Sequence, residues 1–449
     1  MTDFQVSSQQ TCSLMAQTPA QKRALSYALT IHRLFTQIMD SKQPADRVLA
    51  HYFRENKKHG SKDRRVIRET LFAMFRWWGW LGKTLPIQSR ADVDSHWLSV
   101  MLSSALLEKQ SWPIVIKAWG ELANVEHELI THSNDIDTPL AVIKNLYPEI
   151  EFKLTELLPE SFWKHHALDK QNSLSLVESM SSRPPIWARS QYAETSYIIE
   201  SLNKQDFDAN KSTHFPDAIN LGHKSLNLNQ LKLYQQGKIE IQDLASQTIG
   251  HVCDPKPNEL WWDACSGAGG KALQLTAMMY SQDTDRKGEV VASDIRKQAL
   301  DELYKRMQRA QVNHIQIKHW ASEHIPVPIE HFDGVLVDAP CSCTGTWRRN
   351  PDMRWTDDLS TLDDVSALQL DILTKSSAAV KQGGRLIYAT CSIIKAENED
   401  VVSTFLANNP EFNLEPIINP FTNKEASTLT IWPYEANSDG MFVARMIKA

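Results

Sequence analysis

The sequence predicts an α/β chain. A mostly parallel sheet with helices on both faces is expected from about residue 246, preceded by an all-α N-terminal domain and a small α/β unit. Three observations carry this. Apolar residues recur at helical spacing through residues 19–145. A proline-bearing polar connector follows, with short strand-like runs after it. Beyond residue 246, short apolar runs alternate with amphipathic stretches, the pattern of repeated strand–helix units.

In the first part, Leu25, Leu29, Leu34 and Ile38, then Leu71, Met74, Phe75, Trp78 and Leu81, each mark one helix face. Residues 41–90 hold twelve Lys or Arg against four Asp or Glu, although the chain as a whole carries −6. Local patches rather than whole-chain charge set phosphate affinity. The basic stretch from Lys57 to Arg65 reads as a loop opening a helix with Ser61 as N-cap. Lys62, Arg64 and Arg65 are the candidate RNA contacts there, the plain alternative being a solvated helix face. Domain boundaries are expected at 1–145, 146–245 and 246–449. Pro148, Pro159, Pro184 and Pro185 fall in the connector, and strands at Trp187–Arg189 and Ala218–Leu221 flank a helix at Ala193–Leu202.

In the last part, strands are expected at Glu259–Asp263, Glu289–Asp294, His314–Lys318, Asp333–Asp338, Gly384–Ala389 and Met441–Ile447. Helices are expected at Lys271–Tyr280, Arg296–Ala310, Asp364–Val380 and Asn398–Asn408. Such sheets bind ligands at the carboxyl ends of their strands.

Composition removes several classes. No apolar run approaches the ~20 residues that span a bilayer, and Met1–Phe4 lacks the layout of a secretory signal, so a cytoplasmic chain without membrane association is expected. Six cysteines (Cys12, Cys253, Cys265, Cys341, Cys343 and Cys391) are too few for a disulfide framework in 449 residues. No metal site is expected either: one residue separates Cys341 from Cys343, and no His pair follows at finger spacing. Inert or catalytic thiols remain.

The first strand runs into Asp263-Ala264-Cys265-Ser266-Gly267-Ala268-Gly269-Gly270-Lys271 and then a helix. Glycines let backbone approach a ligand at a helix start. Cys265 stands where a P-loop needs its first glycine, which excludes that motif. The turn suits a dinucleotide or S-adenosylmethionine. Asp294, ending the next strand, is placed to accept from ribose hydroxyls, or to cap the following helix.

Two further strand ends decide between methyl and hydride transfer. Asp338-Ala339-Pro340-Cys341 and Thr390-Cys391-Ser392 each put a cysteine just past a strand, facing the glycine turn. Carbon 5 of cytosine is a poor nucleophile until a thiolate adds to carbon 6. Cysteine both attacks and leaves readily. Asp338, three residues before Cys341, is the candidate to share a proton with ring nitrogen N3.

These motifs resemble those of the Nop/Sun family of RNA cytosine-C5 methyltransferases. The likeness covers residues 237–449, including Gly237–Gln247, Asp338–Asp352, Ala396-Glu397-Asn398-Glu399 and Asp439–Arg445. It implies a class I S-adenosylmethionine-dependent methyltransferase fold. It also implies Cys391 as nucleophile, Cys341 assisting elimination, Lys271 near base and cofactor, and Asp294 on the ribose. The DNA enzymes of similar chemistry use the Pro-Cys cysteine with a following Glu-Asn-Val, which is missing here, so RNA is favoured. The first 140 residues are similar to the helical RNA-binding domain of bacterial members, resembling an antitermination factor. Three departures stand out: Gly267-Ala268 where members have Ala-Pro, Cys343 where they have Gly, and Trp320 where they have an adenine-contacting acid.

The expected partners are S-adenosylmethionine and RNA, ribosomal first and transfer RNA second, with no obligatory protein partner. Arg348 and Arg349 are expected to hold RNA backbone at the mouth of the crevice, a surface ion pair being the alternative. A non-catalytic RNA-binding protein on this fold would be expected to lack a cysteine, Asp338 or Lys271, and all are present. A small-molecule or protein methyltransferase needs neither the cysteine pair nor a basic helical domain.

Overall fold

A computed structural model describes residues 15–86, 92–166, 168–224, 226–282 and 288–449. Cys12 and the Met1–Phe4 segment lie outside these. The chain divides into two compact units, one of residues 1–160 with 350–358, the other of 161–349 with 359–449. This differs from the expected boundaries: the small α/β part shares a unit with the large sheet rather than standing as a domain of its own.

The first unit is helical. Its helices are Pro19–Ser41, Ala45–Glu55, Ser61–Leu81, Ser95–Leu107, Pro113–Ala123, His127–Asp135 and Pro139–Leu146. Thr18 caps the first with a capping box completed by Gln21. Trp80 and Trp119 are fully buried, and the Trp119 indole donates to Ala24 O at 2.9 Å, so its one polar atom is satisfied in the core. The late segment completes this unit: Ala45 N donates to Asp352 at 2.8 Å and the Trp355 indole to Phe75 O at 2.7 Å. Ser61 is not the N-cap. Gly60 is, with its N–H donated to Asp63 at 2.9 Å, and Ser61 begins the helix.

The second unit holds two main sheets. Strands β1 (Trp187–Ser190), β2 (Asn210–Lys211), β3 (Ala218–Asn220) and β4 (Ile239–Ile241) form a small antiparallel sheet in the order β2-β3-β1-β4. The larger sheet is built from β5 (Leu260–Asp263), β6 (Glu289–Asp294), β7 (Ile315–His319), β8 (Phe332–Asp338) and β9 (Val380–Thr390), all parallel. After β10 (Phe412–Leu414), a short pair β11 (Ile417–Ile418) and β12 (Glu425–Ala426), and β13 (Thr428–Ile431), strand β14 (Met441–Lys448) inserts antiparallel beside β9. The order is β10-β14-β9-β8-β5-β6-β7, with β13 on β14. Strand order therefore reverses between β5 and β8, the point where such sheets open a crevice at their carboxyl ends.

The strands are buried on both faces, as parallel strands must be: β6 is buried from Val290 to Asp294 and β8 from Gly334 to Val337. One core cluster packs the helices Leu244–Cys253, Gly270–Gln282 and Lys297–Ala310 on one face through Ile249, Leu273 and Leu303. The other packs Leu362–Ser377 and Glu399–Asn408 through Leu373 and Phe405. No helix among the described residues is long and apolar enough to cross a membrane.

Candidate active site

At the switch point, β5 ends in Asp263 and the chain turns through Gly267 and Gly269, both with positive φ (53° and 78°). A Cβ on Gly269 would lie 2.1 Å from Leu303 Cδ1, so the turn closes on the helix Lys297–Ala310 only without a side chain. Asp263 is fully buried, and neither carboxylate oxygen meets a partner in full hydrogen-bond geometry. Burial, then the charge of Asp338, pushes its carboxyl up to about 8; Lys271 and the Ala272 amide only partly counter this. A buried, unsatisfied acid beneath a glycine turn is a receptor for a group with hydrogen-bond donors or positive charge. Together with Ala264–Gly270 and Asp294, it fits the amino-acid end of an adenosine cofactor.

Asp294 ties this turn to β6. It accepts from Gly267 N at 2.9 Å and from Arg296 N at 2.7 Å, and pairs with Arg296 Nε at 3.0 Å. Burial acts to raise its carboxyl, but the Arg296 and Gly267 hydrogen bonds outweigh it and hold it low. It does not cap the helix Lys297–Ala310, whose N-cap is Arg296 with no side-chain cap hydrogen bond; it pins the glycine turn to the end of β6 instead. Trp320, at the end of β7, donates its backbone N–H to Asp294 O at 3.2 Å, and its ring lies 5.4 Å from that of Trp262. Sequence reasoning missed Arg306, which donates to Ala268 O at 2.9 Å and to buried Glu240 at 2.7 Å, bracing the turn against the small sheet.

The cysteines leave neighbouring strands. Asp338 on β8 is opposite Ala389 on β9, and Ala339 N donates to Ala389 O at 2.9 Å, so both loops emerge side by side. Cys341 Sγ lies 3.3 Å from Cys391 Sγ. Lys271 Nζ donates to Asp338 at 2.8 Å. Burial acts to lower the Lys271 ammonium, but Asp338 outweighs it and the lysine is raised.

A third sulfur joins them: Cys341, Cys343 and Cys391 all lie within 4.8 Å of one another, each partly exposed. Hydrogen bonds from Cys341 and Cys391 bring the Cys343 thiol down to about 4, and the one to Cys343 leads in raising Cys341. At Cys391 the hydrogen bond from Cys341 acts to lower, but Cys343 and burial outweigh it. Cys253 and Cys265 are raised by burial and sit outside the group.

Both cysteine loops are gripped by Glu397, a buried carboxylate given no role by the sequence beyond its motif. Its Oε1 accepts from Ser342 N at 2.8 Å and Gln369 Nε2 at 3.1 Å, its Oε2 from Ser342 Oγ and Ser392 Oγ, both at 2.5 Å. Gly345 N donates to Cys391 O at 2.9 Å, and Gly440 N to Gly345 O at 2.8 Å. A Cβ on Gly345 would lie 2.1 Å from Gly440 O.

Arg348 requires a correction. It is buried, and its guanidinium donates to Ser182 Oγ and Asn437 Oδ1 at 2.9 Å and to Ser438 O at 3.3 Å. It is an internal strut, with its donors directed inward rather than at a phosphate. Arg349 pairs with Asp243 at 2.9 Å and Asp439 at 3.0 Å while staying partly exposed, the ion-pair alternative. In the helical unit Lys62 is exposed, Arg65 is exposed and paired with Glu69 at 3.1 Å, and Arg64 lies over the Phe53 ring and donates to His59 O at 2.9 Å.

Comparison with known proteins follows the same lines. The family described as 16S rRNA methyltransferase RsmB/F matches residues 251–447. Ribosomal RNA small subunit methyltransferase B of Shewanella oneidensis is 31% identical over 339 residues, which cover 74% of this chain and 72% of that protein. The probable ribosomal RNA small subunit methyltransferase B of Synechocystis is 30% identical over 293 residues, covering 62% of this chain and 64% of that one, so the chain spans under two thirds of its length. Among solved structures, PH0851 superposes with TM-score 0.72 at 23% identity, over 97% of this chain and 100% of that one. A methyltransferase homolog from Pyrococcus horikoshii superposes with TM-score 0.52 at 25% identity, over 62% and 91%.

Proposed function

Because this chain belongs to the RsmB/F methyltransferases of the Nop/Sun family, we propose that it methylates carbon 5 of a cytosine in ribosomal RNA, in the cytoplasm, with Cys391 as nucleophile. What supports this most is the 3.3 Å approach of two strand-end cysteines beside a glycine turn with a buried, unsatisfied acid.

The cofactor of this reading, S-adenosylmethionine, supplies the methyl group when bound. Asp263 and residues 264–270 would receive its amino-acid end, Asp294 its ribose after Arg296 yields, and Trp320 its adenine by stacking. Cys391, as thiolate, adds to carbon 6 of the cytosine and breaks ring aromaticity. Its proton passes to solvent, to which the partly exposed sulfurs are open. Asp338, oriented by Lys271, shares a proton with N3 and absorbs charge developing during addition. After transfer the carbon-5 proton passes to solvent water, its electron pair re-forms the ring double bond as the carbon–sulfur bond breaks, and Cys391 departs as thiolate while Cys341 assists. Lys62, Arg64 and Arg65 serve RNA backbone contact, giving salt-sensitive binding.

The test is adduct trapping in cells. Cys341→Ala, purified under denaturing conditions, is expected to carry an RNase-sensitive adduct that a further Cys391→Ala change abolishes. Sequencing the trapped RNA distinguishes ribosomal from transfer RNA. If wild type methylates RNA but Cys341→Ala traps none, the Cys341 role fails; if wild type methylates no RNA, the substrate class fails.

A further inference from the structure

The third sulfur is not needed by that reaction, and its position is unusual. Cys343 has a left-handed backbone (φ 57°), a conformation that residues with a Cβ seldom adopt. The turn nevertheless carries a thiol there, and brings it to the pair that the chemistry uses. All three sulfurs lie within 4.8 Å, none is in a disulfide, and each is partly exposed, so an ion reaches them from solvent.

We propose that Cys341, Cys343 and Cys391 form a binding site for a soft or borderline metal ion of the zinc, cadmium or copper(I) class, and that its occupancy shuts off methyl transfer. Thiolates select such ions. Zinc–sulfur bonds of ~2.3 Å in a tetrahedron put sulfurs ~3.8 Å apart. The observed separations are close to that: 3.3 Å between Cys341 and Cys391, and no more than 4.8 Å anywhere in the group. Side-chain rotations of a few tenths of an ångström to about one ångström bring all three to it. The two loops are already fixed by Glu397 and by the Gly345–Cys391 hydrogen bond, so little ordering remains. On binding, each S–H that is still protonated gives its proton to solvent and its sulfur lone pair to the metal. The fourth position is left to water, as in open zinc sites. Spacing along the chain pointed away from a metal because Cys341 and Cys343 alone are too close in sequence; the missing ligand comes from the adjacent strand.

Binding stands on geometry alone. The shut-off rests on the reading that Cys391 and Cys341 carry the reaction, since a metal-held sulfur cannot add to a base. The experiment therefore has two arms. In the first, the reduced full chain without RNA is titrated with cobalt(II), then zinc(II), following the sulfur-to-cobalt charge-transfer band. Wild type is expected to develop the band at one ion per chain and to lose it to zinc. Cys343→Gly, which also suits the left-handed turn, is expected to weaken binding by more than about 10-fold, the least that loss of even a supporting contact costs at such sites. Absence of the band in wild type, or unchanged affinity in Cys343→Gly of wild-type melting temperature, overturns the site.

In the second arm, methyl transfer with zinc is divided by transfer without it, for each protein. Wild type is expected to fall with the occupancy measured in the first arm, and Cys343→Gly to fall only at correspondingly higher zinc. An enzyme that transfers methyl groups at full rate with the site filled keeps the metal site and overturns the cysteine roles instead.

Discussion

Replacing Glu397 separates what holds the cysteines from what they do. The carboxylate receives four hydrogen bonds, two on each oxygen, and the two kinds of donor differ. Oε1 faces N–H groups of Ser342 and Gln369, which can only donate. Oε2 faces hydroxyls of Ser342 and Ser392, which can turn and accept. Glutamine can therefore reproduce the set, with its carbonyl at Oε1 and its amide at Oε2. What it loses is charge assistance, and it sheds the cost of burying a charge, so Glu397→Gln is expected to cost no more than about 1–2 kcal/mol. Alanine strands both N–H donors at about 1–3 kcal/mol each, about 2–6 kcal/mol together.

The effect on rate is larger than the effect on binding. A misplacement of about 1 Å at reacting atoms costs about 100-fold in rate. Glu397→Ala is thus expected to lower single-turnover methyl transfer by about 100-fold while KM for the cofactor changes little, because Glu397 touches the cysteine loops and not the glycine turn. Urea unfolding gives the stability and rapid-quench transfer gives the rate. Wild-type rate and midpoint in Glu397→Ala refute this account. Glutamine as damaging as alanine shows that charge, rather than acceptor geometry, grips the loops.

Other perturbations follow the same logic. Asp263 is raised to about 8 in the folded chain from 3.8, so between those values the folded state keeps a proton that the unfolded state has lost. Stability must then fall as pH rises through that window and level off above about 8. Asp263→Asn should remove that part of the slope, read as urea midpoints at pH 5 and 9. Gly345→Ala drives a Cβ into the backbone at Gly440 O and should cost about 3 kcal/mol or more, whereas Gly383→Ala, with open space but φ 74°, should cost only about 1–2 kcal/mol. Equal melting shifts for the two count against the clash. Arg306→Met removes a charged hydrogen bond to Ala268 O and should raise cofactor KM by about tenfold with a smaller change in kcat. A pure kcat loss refutes the bracing role.

The sequence made the large sheet legible because parallel strands are continuous apolar runs, and β6 falls where Val290–Ala292 predicted it. The strand-end cysteines were readable for the same reason: once β8 and β9 are placed, Cys341 and Cys391 must share an edge. Short strands such as β2, β4 and β10–β13 escaped, since two to four residues hold too little periodicity. Arg348 was misplaced because an arginine in a polar motif looks exposed until its carbonyl and side-chain acceptors on Ser182, Arg183, Asn437 and Ser438 are known. Glu397 and Arg306 work through contacts across 55 and 38 residues of chain, which no local pattern displays.

Residues 350–358 carry a consequence for how the molecule is made. The helical unit is written mostly by residues 1–160, yet Trp355 and Asp352, which occupy donors and acceptors of its helices, come from far downstream. On the ribosome that unit emerges first and stays unfinished while the large sheet's first four strands are translated. Cutting the gene at residue 160 yields a fragment with a missing wedge, and exchanging the helical part between relatives means exchanging two separate stretches together. Its inheritance is tied to the loop that follows the Pro-Cys motif.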